Sequence, residues 1–173
     1  MSEILCLPGA NVRSQSFFVA RARARCCHCS LSTRVLALAM PDKHETLEPE
    51  IEGDADDRGE PKSADWQRAD ASAFLFYVEQ LPGEIQGRLN GLSPFYRLAY
   101  SAATLGCYWA NHCEHCGTLL GDHELHCEPD GAFMPSSEAA AAEIELLAVP
   151  APFEAAAAGI ALEPEFFRFM SRG

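Results

Sequence analysis

Residues 17–29, FFVARARARCCHC, alternate with a period of two. Phe18, Ala20, Ala22, Ala24 and Cys26 fall on one face, and Arg21, Arg23 and Arg25 on the other. This alternation predicts a strand with the arginines turned to solvent. The segment STRVLALAM predicts a second strand, ended by Pro41. Together they predict a hairpin over 17–41 with a cysteine-rich turn. Further along the period changes. Phe74, Tyr77, Val78 and Leu81 stand at i, i+3, i+4 and i+7, which predicts a helix. Pro82 breaks it and starts a second short helix closed by Gly91, so 66–91 reads as helical.

Residues 95–112, FYRLAYSAATLGCYWANH, predict two strands about a turn near Gly106, and 118–127 predicts a continuing extended chain. SSEAAAAEIELL opens with Ser and an early Glu, a helix start. APFEAAAAGIAL fits either helix or strand, and EPEFFRFM a short terminal helix. Residues 42–65 have no apolar periodicity and carry ten acids against three bases, which predicts an acidic loop or disordered insert.

A length of 173 residues fits a single domain over 1–173. No apolar run approaches the length of a membrane span, and the first residues lack the basic start and apolar run of a secretory signal. These features predict a cytoplasmic protein that does not enter membranes. In such a compartment eight cysteines point to metal binding or thiol chemistry rather than a disulfide framework. The net charge is −12, unevenly placed. Five arginines and one acid precede position 42, whereas Leu98 to Phe167 holds eleven acids and no Lys or Arg.

The cysteines supply the chemistry. Cys26-x-x-Cys29 and Cys113-x-x-Cys116 form two pairs, each between predicted strands. Two-residue spacing lets both thiolates of one tight turn face the same ion. Four thiolates give tetrahedral all-sulfur coordination, suited to zinc or iron. Gly117, just after the second pair, permits the positive φ such a turn requires. Cys27 and His28 are then the knuckle-tip residues. Ligand sets in which His28, His112 or His115 replaces a cysteine stay open. Cys6, Cys107 and Cys127 have no such partner and read as small buried hydrophobes.

Two knuckles on two hairpins resemble a zinc ribbon, over roughly 18–40 and 106–128. The wider pattern, CxxC followed by YWANHCEHCG and GD, resembles bacterial zinc-ribbon proteins of unassigned function. The resemblance implies an α+β fold with ribbon-like hairpins at 17–41 and 95–128. It also implies a helical insertion at 66–91 between the two CxxC knuckles, a C-terminal extension at 129–173, and one structural Zn2+ on Cys26, Cys29, Cys113 and Cys116. Compact four-cysteine sites place their pairs much closer together than residues 30–112 allow, but loop closure grows costlier only logarithmically with length.

Other motifs fail. HELH at 123–126 spaces its histidines by three rather than the four of HExxH. His112-x-Glu114 lacks the PCxxC of nucleobase deaminases, and no phosphate-binding loop or nucleophile elbow appears. No convergent acid–base set is present, so the expected role is non-catalytic: a macromolecular interaction module whose partner is a protein. Two alternatives remain. A nucleic-acid-binding ribbon needs a basic footprint, which only Arg21, Arg23 and Arg25 offer. A thiol oxidoreductase using one CxxC needs a thiolate at a helix N-terminus, whereas both pairs lie between strands.

Overall fold

The computed structural model of the protein describes residues 7–47, 65–162 and 164–173. These residues are mostly β, with twelve strands and three short α-helices. The expected α+β architecture with a helical insertion is therefore incorrect. A large sheet runs in the order β12 (Ser171–Arg172), β10 (Glu145–Val149), β2 (Phe17–Arg25), β3 (Ser32–Met40), β6 (Ala73–Gln80), β11 (Phe153–Leu162), β1 (Val12–Ser14), β4 (Glu45–Leu47) and β5 (Trp66–Arg68). All its pairs are antiparallel except β10 with β12. A second sheet contains β7 (Tyr96–Ser101), β8 (Gly106–His112) and β9 (Leu119–Leu120).

The misread segment is β6. Its run AFLFYV is apolar on both faces, so helical spacing can be picked out of a strand buried on both sides. It lies between β3 and β11. Tyr77 adopts a φ of 51° just before the register with β11 shifts, between Val78 opposite Ala157 and Gln80 opposite Ala156, an irregularity of the kind that bends a strand. Only α1 (Gly83–Leu92) from the predicted insertion is helical. Likewise 118–127 is not extended throughout: β9 is two residues long, and α2 (Asp122–His126) follows it. In the ambiguous 151–162 segment Phe153–Leu162 is strand β11, and a 3-10 turn occupies Phe167–Phe169. Of the predicted acidic loop, Glu45–Leu47 is a strand paired with β1 and β5, and 48–64 lies outside the described residues.

Chain connections force the large sheet to curl. β1 and β2 are joined by two residues yet stand four strand positions apart. A flat sheet would separate them by about 19 Å, at about 4.8 Å per strand. The three Cα steps from Ser14 to Phe17 span at most about 11 Å. The ends therefore approach each other, and the rings of Phe17 and Phe153 meet at 4.9 Å. Val12, Val19, Leu38 and Leu75 fill the concave side, where Ile85 and Leu89 of α1 and Trp109 of β8 plug it. The convex side buries Phe74, Leu146 and Met170 with Leu125 of α2 and Ala141 of α3 (Glu138–Ala142). Among the described residues no helix is long and apolar enough to cross a membrane.

Candidate metal centre

The hairpin of β2 and β3 carries the first knuckle at its tip, and β8 and β9 flank the second. The two turns are built alike. Cys26 N–H donates to Leu31 O at 2.9 Å and Ser30 N–H to Cys26 O at 2.9 Å. Cys113 N–H donates to Thr118 O at 2.8 Å and Gly117 N–H to Cys113 O at 2.9 Å. His28 N–H points at Cys26 Sγ and His115 N–H at Cys113 Sγ, each at 3.4 Å. Both turns close through a left-handed residue, Gly117 at φ 76° and Ser30 at φ 62°. The glycine is readable from sequence, whereas Ser30 is missed. Aligning the shared Cys-x-His-Cys places Ser30 opposite Gly117.

Side chains then bring the knuckles together. β6 pairs with β3 only from Leu38 onward. Before that point Asn111 of β8 takes over: Leu36 N–H donates to its Oδ1 and its Nδ2 donates to Leu36 O, both at 2.8 Å. Buried in this way, the amide satisfies both backbone groups of Leu36 as a neighbouring strand would. Glu114 N–H donates to the buried Thr33 hydroxyl at 3.0 Å. Arg34 Nε reaches Glu114 Oε2 at 3.1 Å, and His115 Nε2 lies 3.0 Å from Ser32 O. These contacts join the second knuckle to β3 at three successive residues.

The Sγ atoms of Cys26, Cys29, Cys113 and Cys116 all lie within 4.8 Å of one another. The two cross-knuckle pairs, Cys26 with Cys116 and Cys29 with Cys113, are 3.6 Å apart. A disulfide needs about 2.05 Å. Tetrahedral zinc with Zn–S near 2.3 Å separates its sulfurs by about 3.8 Å. The arrangement therefore fits a tetrahedrally bound metal ion. Burial decreases across the cluster, with Cys26 and Cys113 buried, Cys29 intermediate and Cys116 exposed.

Without a cation, four adjacent thiols cannot all ionise. Hydrogen bonds from the Thr118 hydroxyl and then its backbone N–H bring Cys116 down to about 6. Cys29 is pushed up to about 12: the Leu31 N–H favours its thiolate, but desolvation and the thiols of Cys113, Cys26 and Cys116 outweigh it. A metal ion would remove this conflict by stabilising every thiolate at once.

No histidine joins the cluster. His112 is buried with Nδ1 against Phe95 O and Ala110 O, its pKa lowered by desolvation and then by Arg97. His115 turns to Ser32, and His28 is exposed. Cys27 is exposed at the tip. Cys107 and Cys127 are exposed too, against the expectation that they pack inside. Cys107 stands opposite the exposed Tyr100, near the turn of the β7–β8 hairpin. Cys6 lies outside the described residues.

Sequence reasoning also passes over Asp122, at the start of α2. Its buried Oδ2 accepts the N–H of Tyr77 at 2.7 Å, tying the segment after the second knuckle to β6. Desolvation raises it to about 7, against the Tyr77 hydrogen bond and with a smaller push from Glu124. No known protein family, curated protein or solved structure matches the chain.

Proposed function

We propose that Cys26, Cys29, Cys113 and Cys116 hold one Zn2+ as a structural centre, in a non-catalytic protein whose role is to bind another protein. The observation that carries this reading is the convergence of four sulfurs at tetrahedral spacing, on two knuckles of the same build. Four protein thiolates complete the coordination, whereas catalytic zinc keeps a position for water or substrate. The centre joins residues distant in sequence, so its binding energy contributes to folding. A net charge of −12 disfavours nucleic acid as the partner, and four thiolates with Zn2+ would make it more negative by two.

Metal analysis of the purified chain is expected to give one zinc. The cobalt-substituted protein is expected to show intense tetrahedral bands and thiolate-to-metal charge transfer, unchanged by azide or cyanide. Mixed nitrogen and sulfur ligation with an anion-sensitive position would overturn the structural reading.

A further inference from the structure

β2 has one complete side and one incomplete side. Along β3 it is paired through to Arg25 opposite Ser32. Along β10 the pairing stops at Arg21 opposite Glu145. Antiparallel strands alternate their hydrogen-bonding direction. Since Cys26 N–H donates to Leu31 within the hairpin, the even residues of β2 turn their backbone groups toward β3 and the odd residues away. Phe17, Val19 and Arg21 therefore meet β10, while Arg23 and Arg25 have no strand opposite them among the described residues. Ahead of β10 the chain departs into α3 and does not continue the line.

The open edge borders a groove of about 620 Å3, lined among others by Arg21, Arg23, Arg34, Ala132, Pro135 and Ile144. Arg23 stands directly opposite Arg34, a like-charge pairing that destabilises a sheet unless an anion intervenes. Arg34 pairs with Glu114 and Arg21 with Glu145, but Arg23 and Arg25 reach no carboxylate among the described residues. The pair of Arg21 and Glu145 shows what this edge accepts: an acid directly opposite an arginine, followed back along the chain by an apolar residue, Ile144, on the other face.

We propose that this edge takes an extended acidic peptide of a protein partner as an added strand, in line with β10. This deepens the protein-binding reading above and rests on it. Residues directly opposite in antiparallel strands share a face, so acids two apart would meet Arg23 and Arg25. The residue between them would lie on the face of Ala22 and Ala24, beside Ala132 and Pro135, where a small apolar side chain fits. The recognised pattern is acid–apolar–acid, with main-chain hydrogen bonds giving affinity and the arginines giving specificity.

The test is fluorescence anisotropy of a fluorescein-labelled Ser-Glu-Val-Glu-Val-Glu-Ser peptide on the zinc-loaded full chain. Binding is expected. It should weaken about tenfold or more in Arg23→Glu/Arg25→Glu, as expected when a charge pair becomes a like-charge clash. Arg23→Lys/Arg25→Lys should keep most of it. The same peptide N-methylated at its central Glu should bind poorly, because the residues opposite Arg23 and Arg25 are the ones that supply the ladder N–H groups. Equal binding by the double glutamate variant, or by the N-methylated peptide, would overturn the groove. The chain also contains Glu50-Ile51-Glu52. Tight peptide binding only after 48–64 is replaced by Gly/Ser linker would assign the edge to the chain itself and overturn the partner. Duplex DNA binding in place of peptide would overturn both the groove and the protein-binding reading. A protein partner that still binds the double variant would overturn the groove alone. Zinc content measured on the same samples keeps the metal centre separate from all of these outcomes.

Discussion

The two knuckles share one backbone design in unequal settings. The first sits at the tip of two nine-residue strands and takes its geometry from a regular hairpin. The second is followed by a strand of two residues and is held by side chains: Asn111 on Leu36, Glu114 on Thr33 and Arg34, Asp122 on Tyr77. The first also closes through a serine in a conformation that the second gives to glycine. A local motif thus suffices to fold each turn, whereas tertiary polar contacts decide that the two turns face each other.

The largest break in this comparison is expected where the four-cysteine cluster loses a member. Cys113→Ser and Cys29→Ser are each expected to abolish stoichiometric zinc and to cost about 4 kcal/mol or more, the range in which loss of a metal falls. Cys27→Ser, Cys107→Ser and Cys127→Ser should leave zinc content and melting temperature unchanged. Full zinc in Cys113→Ser would refute the assignment.

Next comes the joint between the turns. Asn111→Leu leaves the buried N–H and C=O of Leu36 without partners, at about 1–3 kcal/mol for each group. Urea denaturation should show this loss, and competition with a chelator should show weaker zinc binding although all four cysteines remain. Unchanged zinc affinity would mean that the ion alone positions the second knuckle.

Smaller still is the contrast between Ser30 and Gly117. A left-handed non-glycine residue carries about 1–2 kcal/mol of strain, partly offset by the larger unfolded-state entropy of glycine. Ser30→Gly should therefore stabilise slightly, by up to about 1 kcal/mol, while Gly117→Ala should destabilise by about 1 kcal/mol or more. Thermal melts of the two variants should move in opposite directions.

The smallest expected net effect is on pH. Asp122, raised from 3.8 to about 7, holds a proton in the folded state that the unfolded chain releases, so acidification from pH 7 toward 4 adds stability through it. His126 lies between the rings of Phe76 and Phe133, and desolvation lowers it from 6.5 to about 3. The unfolded chain binds that proton first, so acidification from 6.5 toward 3 removes stability through His126. Where the windows overlap, the two slopes oppose. Asp122→Asn keeps an oxygen for the Tyr77 N–H and removes one slope. Its stability should fall more steeply than the native chain's between about pH 7 and pH 5, measured with zinc saturating. Parallel profiles would show that Asp122 does not titrate in this range.

What the sequence discloses follows what local physics controls. The β2–β3 hairpin is legible because one arginine-lined face makes its alternation visible. The four clustered cysteines are legible because paired spacing is a local signal. β6 is misread because a central strand buried on both sides loses its period. Asn111, Thr33 and Asp122 escape notice because their value lies in partners 75, 81 and 45 residues away. The position of β11 between β6 and β1 leaves no mark in its own alanine-rich run, which equally suits a helix.

That position sets an order of events during synthesis. The last cysteine of the cluster, Cys116, is made well before β10 and β11, which begin at Glu145 and Phe153. The N-terminal strand β1 pairs with β11, and Asn11 bonds both the N–H and C=O of Ala157. Such distant pairings form slowly and late. A nascent chain can therefore clip its two knuckles around an ion while the sheet is still unrolled, with β6 lacking its outer neighbour. Aggregation is the hazard of that interval, because an apolar strand edge stays open until the ribosome delivers residues 153–162.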